Sequence, residues 1–479
     1  MSNDQPTEYS QPPTEYSQPA SATATEQRQP MTTDVETMLA QAQKPAADAM
    51  LLHPYYRGKI EVVPKCVVRD FNDFAIWYSP GVAAPCKDIQ ANPEKVYEHT
   101  NKSNLIAIVS DGTRVLGLGD IGPEAAIPVM EGKALLFKYL GGVDAIPICL
   151  DTKDPDEIIR TVLLLQPNYG GINLEDISQP KCFRILDTLR EKAEIPIWHD
   201  DQQGTATVAL AGLMNALRIV GKRPHEVKIV FQGAGASNVA CSRLMFAWGV
   251  RPEQCTVVDS KGILHPERED LRRRKAEFVD KWRLSNITNA EGRTGDMAAA
   301  LAGADVCISL STPGPGTLKQ EWVEKMADGA VVFAMANPIP EMWPWEAKAA
   351  GVRIFATGRS DFPNQVNNSL GFPGIFRGAL DVRARTISDE MCIAAATALA
   401  DMAAERGLDA DHILPTMDDW EVFPREAVAV GMKAQEQHLA RISLSAEELH
   451  TKASDIIARA RGITQWMMRE GFIAQPPEA

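Results

Sequence analysis

The 479-residue sequence predicts an α/β protein with two parallel sheets covered by helices. Short apolar runs alternate with helical patterns in both halves of the chain. In the second half, the glycine loop Gly233-Ala234-Gly235 follows one such run and precedes a helix. In the first half, the acidic doublets Glu175-Asp176 and Asp200-Asp201 each follow an apolar run. Ligands of open α/β sheets bind beyond the carboxyl ends of the strands, so these loops mark the candidate site.

Composition and charge exclude several classes of function. The chain is 45% hydrophobic and 23% charged, as in ordinary globular proteins, and its length allows two or three domains. The net charge of −14 argues against general binding to nucleic acids or anionic membranes. No membrane span or signal peptide is apparent. None of the eight cysteines forms a C-x-x-C pair, which favours free thiols in the cytoplasm over disulfides or zinc.

The amino-terminal segment, 1–35, is rich in Pro, Gln, Ser and Thr and is predicted to be a disordered tail. Inside it the sequence Pro-Thr-Glu-Tyr-Ser-Gln-Pro occurs twice in tandem, at 6–12 and 13–19. Met31 is an alternative start of the chain. A helix is expected over 35–52, ahead of the breaker His53-Pro54.

The first domain should span 36–200 and form a sheet. Its predicted strands lie at 59–63, 104–109, 145–150, 171–174 and 195–199, and its predicted helices at 132–139 and 155–165. Both acidic doublets therefore follow a predicted strand directly.

The second domain should span 201–368 and bind a dinucleotide. A helix over 205–220 precedes five predicted strands, at 227–231, 256–259, 305–309, 330–335 and 352–356. Residues 369–479 should be helical and pack back on the first domain. The predicted helices of that segment lie at 391–406, 425–439 and 446–469.

The acidic doublets suggest a metal site. Glu175, Asp176 and Asp201 offer only oxygen ligands, which suit Mg²⁺ or Mn²⁺ and not zinc. The alternative is that these acids are solvated loop ends or helix caps, and the residues alone leave the two interpretations evenly balanced. His199 is expected to support the site or lie in the core, not to bind the ion.

Three further side chains could act on a substrate, although each has an ordinary structural alternative. Arg114 could bind a carboxylate through two hydrogen bonds, or form a surface ion pair. Lys133, at the start of a predicted helix with an apolar face, could have a lowered pKa near a metal and act as a base, or reach water. Tyr78, before Pro80, could protonate a carbanion, or simply pack in the core.

The loop Gly233-Ala234-Gly235-Ala236-Ser237-Asn238 reads G-x-G-x-x-N, with Asn238 in place of the usual third glycine. Its glycines let backbone N–H groups approach a pyrophosphate. Asp259, at the end of the next strand, would accept hydrogen bonds from a ribose and repel a 2′-phosphate. NAD is therefore favoured over NADP, although Lys261 and Arg268 could assist a phosphate.

Two amide-rich loops complete the candidate site. Asn337 follows one strand, and the run from Gly358 to Asn368 follows another. Their amides could bind a nicotinamide or a carboxylate, but such loops are also ordinary turns.

Taken together, these motifs resemble the malic enzymes in their shorter bacterial form. The segments that carry the resemblance are Tyr-Ser-Pro-Gly-Val-Ala, Leu-Gly-Leu-Gly-Asp-Ile-Gly, Met-Glu-Gly-Lys, Asn-Leu-Glu-Asp, His-Asp-Asp-Gln-Gln-Gly-Thr and Gly-Arg-Ser-Asp-Phe-Pro-Asn-Gln-Val-Asn-Asn. The resemblance as a whole extends from about residue 50 to the carboxyl-terminal helices. The resemblance implies metal-dependent oxidative decarboxylation of L-malate with NAD or NADP, and a homodimer or homotetramer.

The resemblance also implies a role for each site residue. Glu175, Asp176 and Asp201 would hold the divalent ion, Lys133 would take the C2 hydroxyl proton, and Asp200 would hold that lysine. Arg114 and Asn368 would bind malate, Asn337 would contact substrate or nicotinamide, and Tyr78 would protonate the enolate. Two rivals are malolactic or oxaloacetate-decarboxylating activity without net redox change, and a nucleotide-binding sensor. The intact catalytic set counts against the sensor.

Overall fold

The computed structural model describes the backbone of residues 35–477 and the side chains from residue 44 to residue 477. Contacts divide the chain into two units, Met1–Arg57 and Gly58–Ala479. The predicted repeat tail and Met31 lie outside the described residues. In the first unit the predicted helix is present as α1 (Val35–Tyr56), but its predicted end is wrong. Pro54 lies inside the last turn, where it removes one backbone donor without ending the helix.

The second unit contains two sheets, and the first is entirely parallel, with strand order β2-β1-β3-β4. Its strands are β1 (Leu105–Ser110), β2 (Asp144–Cys149), β3 (Gly171–Leu174) and β4 (Ile197–His199). The strands read as continuous apolar runs because helices cover both faces of such a sheet. The neighbours of β1 are β2 on one side and β3 on the other. A crevice therefore opens beyond the carboxyl ends of β1 and β3.

The second sheet has strand order β10-β9-β8-β5-β6-β7 and is parallel except for the pair β6–β7. Its strands are β5 (Ile229–Gln232), β6 (Thr256–Asp259), β7 (Gly262–Ile263), β8 (Val306–Ser309), β9 (Val331–Ala334) and β10 (Ile354–Thr357). The five predicted strands are confirmed, and β7 was not predicted. The winding reverses between β5 and β8, so the glycine loop after β5 opens into a second crevice.

Helices connect and cover the strands. In chain order they are α2 (Asp73–Trp77), α3 (Ala83–Ala91), α4 (Val96–His99), α5 (Gly122–Gly141), α6 (Pro155–Leu165), α7 (Lys181–Lys192), α8 (Thr205–Val220), α9 (Ala236–Trp248), α10 (Glu269–Arg273), α11 (Val279–Ile287), α12 (Met297–Leu301), α13 (Gln320–Val323), α14 (Pro344–Ala349), α15 (Phe372–Asp381), α16 (Asp389–Arg406), α17 (Val422–Glu436) and α18 (Ala446–Arg469). Shorter turns lie at Pro93–Lys95, Asn101–Ser103, Asp200–Gly204, Pro252–Gln254 and Asn368–Leu370. No helix of residues 35–477 is long and apolar enough to cross a bilayer.

Two predicted elements of the first domain are corrected. The predicted strand at 59–63 is wrong, because this exposed segment is attached to α5 by side-chain hydrogen bonds and joins no sheet. Lys59 N donates to Glu131 Oε2 at 3.2 Å, and Lys59 Nζ donates to the Pro128 carbonyl at 2.8 Å. The predicted helix at 132–139 is only the middle of α5, so Lys133 lies in the interior of that helix and not at its start.

Helix α15 was missed because its sequence, Phe-Pro-Gly-Ile-Phe-Arg-Gly, reads as a turn. The structure places Pro373 in the first turn of the helix, where a proline costs no hydrogen bond. Phe372, Ile375, Phe376 and Ala379 follow helical spacing, and all four are fully buried. The periodicity of apolar residues therefore outweighs the local turn signals.

Helix α8 is buried over most of its length. Every residue from Ala206 to Leu217 is buried, as expected for a helix that is apolar all round. It packs on α9 and α16. The wider π-helical turn Asp200–Gly204 leads directly from β4 into α8, and such turns often occur at functional sites.

The carboxyl-terminal helices pack on both halves of this unit. Helices α15 and α18 contact α5, whereas α16 contacts α8 and α9. Helix α17 packs against α15 so closely that a Cβ at Gly378 would lie 2.4 Å from the Ala427 carbonyl oxygen. The boundaries at residues 200 and 368 stay predictions.

Glu426 of α17 is an unpaired acid in this helical core. Its side chain is fully buried, and neither carboxylate oxygen has a hydrogen-bond partner among the described residues. Burial raises its pKa well above the ordinary value of 4.5. A raised pKa in the folded state means that ionisation destabilises the fold.

We expect Glu426→Gln to become progressively more stable than the wild type as the pH rises from 5 to 8. Above pH 4.5 the unfolded wild type loses this proton while the folded protein keeps it, so wild-type stability falls by up to about 1.4 kcal/mol per pH unit. Urea unfolding at several pH values measures the difference. Glu436→Gln, at an exposed position of the same helix, is the control. A pH-independent difference would contradict the expected titration.

Candidate active site

Three carboxylates meet beyond the carboxyl ends of β3 and β4. One oxygen each of Glu175, Asp176 and Asp201 lies within 4.8 Å of the others. Glu175 and Asp176 are buried, and Asp201 is half-buried. Asp201 Oδ2 also accepts a hydrogen bond from the Asp176 backbone N–H at 2.9 Å, which joins the loops after the two strands.

The electrostatics of this cluster favour a cation. Burial raises the pKa of Glu175 well above its ordinary value, and burial followed by the charge of Asp201 raises the pKa of Asp176 to about 8. Asp176 Oδ2 is buried without a hydrogen-bond partner among the described residues. A buried, unpartnered oxygen in an all-oxygen set fits a hard divalent ion such as Mg²⁺ or Mn²⁺. His199 lies beside the cluster, with Nδ1 3.6 Å from Asp201 Oδ2, and burial lowers its pKa.

Lys133 extends from the interior of α5 to the edge of this cluster. Its Nζ lies 2.6 Å from Asp200 Oδ2 and 3.1 Å from Glu175 Oε1. Burial by itself disfavours the ammonium, but the negative charges of Asp200 and Glu175 outweigh that effect and raise the pKa of Lys133. The lowered pKa expected for this lysine near a metal stays a prediction, and the apolar helix face did not reveal the acids that other strands supply.

Three side chains that were not predicted hold this ion-pair network. Asn173 Nδ2 donates to Glu175 Oε2 at 2.8 Å, and Trp198 Nε1 donates to Asp200 Oδ1 at 3.2 Å. Each donor precedes its acid by two residues, so both point to the same side of the strand. The ring of Phe372, at the start of α15, lies 4.4 Å from Lys133 Nζ. The i, i+2 spacing was visible in the sequence, whereas the contact with Phe372 was not.

The turn that carries Arg114 is attached through its backbone to the cluster of three carboxylates. Arg114 N donates to the Asp176 carbonyl at 2.9 Å, and Ser178 N donates to Thr113 Oγ1 at 3.0 Å. Lys181 forms an ion pair with the buried Asp111 at the base of the same turn. The Arg114 side chain is exposed and has no ion pair among residues 44–477. It is therefore available to a bound anion.

Both predicted amide loops approach this group. A Cβ at Gly204 would lie 3.2 Å from the Asn368 Cβ and 2.0 Å from Asp200 Oδ1, so Asn368 is adjacent to Asp200. A Cβ at Gly117 would lie 3.3 Å from the Asn337 carbonyl oxygen. The loop after Arg114 therefore approaches the nucleotide half at Asn337.

Tyr78 is not joined to the cluster. It follows α2 directly, and its side chain is 74% exposed. In the described part of the chain, no hydrogen bond connects its hydroxyl to Lys133 or to the acids. Phe71, Ile76 and Trp77 of the same segment are also exposed.

The glycine loop faces a cleft of about 990 Å³ at the carboxyl end of the second sheet. Gly233 has φ of +99°, and a Cβ there would lie 2.6 Å from the Leu310 carbonyl oxygen, so only glycine fits. A Cβ at Gly235 would meet no atom within 4 Å, which leaves room for a phosphate to approach the backbone. Ala234 is buried, and Ala236 and Ser237 open α9.

Asn238 explains the loss of the third glycine. Its Nδ2 donates to the carbonyls of Gln232 and Gly233 at 2.7 and 3.0 Å, and these hydrogen bonds fix the conformation of the loop. Asp259 ends β6 and lines the cleft, as predicted for the acid near a ribose. The geometry of this half thus fits a dinucleotide.

Glu341 is a further positioning residue that sequence reasoning missed. It is fully buried and accepts hydrogen bonds from Ser311 N at 2.9 Å and Ala336 N at 3.1 Å. These amides follow β8 and β9, so Glu341 joins the loop after β8 to the loop after β9, which carries Asn337. The only signal was an acid in the run Asn-Pro-Ile-Pro-Glu, which does not reveal its partners.

Comparisons with known proteins agree with this geometry. Residues 57–190 match the family model "Malic enzyme, N-terminal domain", and residues 202–435 match "Malic enzyme, NAD binding domain". The chain is 48% identical to a bifunctional malic/malolactic enzyme of Bacillus subtilis, over 85% of this chain and 97% of that protein. It is 50% identical to an NAD-dependent malic enzyme of Geobacillus stearothermophilus (80% and 78%) and 44% identical to an NADP-dependent malic enzyme of Halomonas elongata (80% and 92%).

A crystal structure of Entamoeba histolytica malic enzyme superimposes with a TM-score of 0.90 at 48% identity, covering 94% of this chain and 93% of that one. The predicted α/β fold with a Rossmann-type NAD(P)-binding domain is confirmed. Two matching domains, arranged around the acids, lysine and glycine loop described above, show that the chain belongs to the malic enzyme family.

Proposed function

We propose that this protein catalyses the oxidative decarboxylation of L-malate to pyruvate and CO₂, with reduction of NAD(P)⁺. The observation that carries this proposal is the contact of Lys133 with Asp200 and Glu175 at the edge of an all-oxygen cation site. A base next to a cation site is what the oxidation of a hydroxy acid requires.

The residues would divide the reaction between them. Glu175, Asp176 and Asp201 would hold a divalent ion, which supplies Lewis-acid polarisation of the substrate oxygens. Lys133 Nζ would take the proton of the C2 hydroxyl as the C2 hydride passes to the nicotinamide. The negative charges of Asp200 and Glu175 raise the pKa of Lys133, and a divalent ion at the carboxylates would offset these charges and so favour the neutral amine.

Arg114 and Asn368 would orient malate. The exposed Arg114 guanidinium can bind a carboxylate through two hydrogen bonds, and Asn368 is adjacent to Asp200, the partner of the base. Asn337 would contact the substrate or the nicotinamide. After CO₂ leaves, Tyr78 would protonate the enolate at C3. This last assignment depends on the family pattern, since Tyr78 has no hydrogen bond to the other residues among those described.

The acid at Asp259 favours NAD as the coenzyme, because a carboxylate accepts ribose hydroxyls and repels a 2′-phosphate. Decarboxylation of added oxaloacetate would use the same residues without the hydride step. A homo-oligomeric state and a cytoplasmic location stay predictions.

A second candidate is the conversion of malate to lactate with NAD retained. The bifunctional malic/malolactic enzyme that is 48% identical supports it, because that protein is named for both activities. The difference is whether reduced coenzyme leaves before it reduces pyruvate.

Following 340 nm absorbance with malate, Mn²⁺ and either NAD⁺ or NADP⁺ tests both candidates. Steady accumulation of reduced coenzyme, faster with NAD⁺, is the expected result. Lactate formed without net reduced coenzyme would support the malolactic alternative, and no consumption of malate at all would contradict both.

We expect Lys133→Ala to lower kcat by about 10²–10⁴-fold, the range typical of a lost general base. Coenzyme affinity, measured by fluorescence titration, should change little, because Lys133 lies among the acids and not at the glycine loop. Lys138→Ala removes a lysine of the same helix that pairs with Asp144, and it is the matched control. Unchanged turnover in Lys133→Ala would remove this residue from the mechanism.

We expect Asp201→Ala to raise the Mn²⁺ concentration needed for half-maximal activity by about tenfold or more, because one of three charged oxygen ligands is lost. Mn²⁺ binding can be followed independently by electron paramagnetic resonance. Asp156→Ala, at an exposed acid that pairs with Arg184, should leave the titration unaltered. Equal titrations for Asp201→Ala and the wild type would contradict the ligand role.

A further inference from the structure

The acid that should select the coenzyme is not free. Asp259 lies at the end of β6 with its side chain 10% exposed. Its Oδ1 accepts from Arg268 Nη1 at 2.7 Å and from Lys261 N at 2.9 Å. Its Oδ2 is held more loosely, with Arg268 Nη2 at 3.3 Å and Lys281 Nζ at 3.6 Å. Oδ2 therefore keeps lone-pair capacity for a ribose hydroxyl.

Arg268 is bound to a second acid at the same time. Its Nε donates to Asp270 Oδ1 at 3.1 Å and its Nη2 donates to Asp270 Oδ2 at 2.8 Å. Nη1 also donates to the Gly262 carbonyl at 3.1 Å, and the side chain is only 8% exposed. The guanidinium thus joins two carboxylates and has every nitrogen engaged.

Asp270 also holds the exposed cation of this region. Lys261 Nζ lies 3.3 Å from Asp270 Oδ2, although the Lys261 side chain is 63% exposed. Asp259, Lys261, Arg268 and Asp270 all line the 990 Å³ cleft. One carboxylate therefore engages the two basic side chains of the cleft wall next to Asp259.

This arrangement should affect the binding of NAD and NADP differently. A 2′-phosphate would have to enter beside Asp259, and arginine is the side chain best suited to bind it. Here Arg268 could bind it only by giving up hydrogen bonds to Asp270, and the acid would remain nearby to repel it. A ribose 2′-hydroxyl needs only an acceptor, which Asp259 supplies without disturbing Arg268. Discrimination against one ligand by an unfavourable group is a general route to specificity.

We propose that Asp270 is a specificity-determining residue, which excludes NADP by holding Arg268 and Lys261 away from the 2′-phosphate position. Asp259 then selects for the ribose of NAD, and Asp270 selects against the phosphate. This inference rests on the proposed use of NAD(P)⁺ and goes beyond it by assigning the choice to a pair of acids joined by one arginine.

Isothermal titration of the full-length protein with NAD⁺, NADP⁺ and 2′,5′-ADP, without malate or metal, tests the proposal by binding alone. Asp270→Asn should tighten NADP⁺ and 2′,5′-ADP by about tenfold or more, the scale of one charge-assisted hydrogen bond. NAD⁺ affinity should change by less than about threefold, because Asp259 is retained. When Arg268→Ala and Lys261→Ala are added to Asp270→Asn, most of the gain should disappear, because neither basic side chain remains to bind the phosphate.

Glu277→Gln is the matched control, because it removes the same charge from an exposed pair with Arg274 that does not line the cleft. Unchanged NADP⁺ binding in Asp270→Asn would overturn the proposal, and so would an equal gain in Glu277→Gln. A gain that survives removal of both Arg268 and Lys261 would overturn it as well. Malate oxidation is then assayed on the same samples. If the proposed function is wrong, no turnover is seen with either coenzyme; if only the role of Asp270 is wrong, turnover is retained and NADP⁺ binding is unchanged.

Discussion

The site depends on an imbalance of buried charge. Glu175, Asp176, Asp200 and Asp201 converge where two strands end, and one ammonium, that of Lys133, lies among them. Carboxylates that are withdrawn from water and close together resist ionisation unless a positive charge compensates them. The lysine compensates part of this charge, and a divalent ion would compensate the rest. The same imbalance that would destabilise a metal-free site would favour the binding of a cation.

The two sheets place this imbalance beside the coenzyme cleft. In each sheet the winding reverses at a central strand, which opens one crevice beyond the first sheet and one beyond the second. Loops connect the two crevices. The turn after β1 is hydrogen-bonded to Asp176, and the residues that follow this turn approach Asn337. The buried Glu341 accepts hydrogen bonds from the loops after β8 and β9, and the second of these loops carries Asn337. Substrate and nicotinamide groups can therefore be held by backbone that hydrogen bonds have already ordered.

Much of this organisation was visible in the sequence, since parallel strands buried on both faces give continuous apolar runs and the acids lie directly after them. The features that could not be predicted from the sequence depend on contacts between residues that are distant in the chain. The segment at 59–63 has the composition of a strand but no neighbouring strand to pair with, and α15 contains turn residues but has a helical apolar face. The direction of the Lys133 pKa shift required knowledge of Asp200, 67 residues away. Local sequence patterns predict helices and strands, whereas the balance of charges in the site depends on how the strands assemble into the sheet.

Helix α8 has a consequence for how the protein should respond to substitution. The turn Asp200–Gly204, which carries the partner of Lys133, continues without a break into a helix whose residues 206–217 are all buried. A small displacement of that helix by a distant cavity or an oversized side chain would be transmitted as a shift of the Asp200 carboxylate. Substitutions that impair turnover are therefore expected among the buried residues of this helix as well as among the proposed catalytic residues.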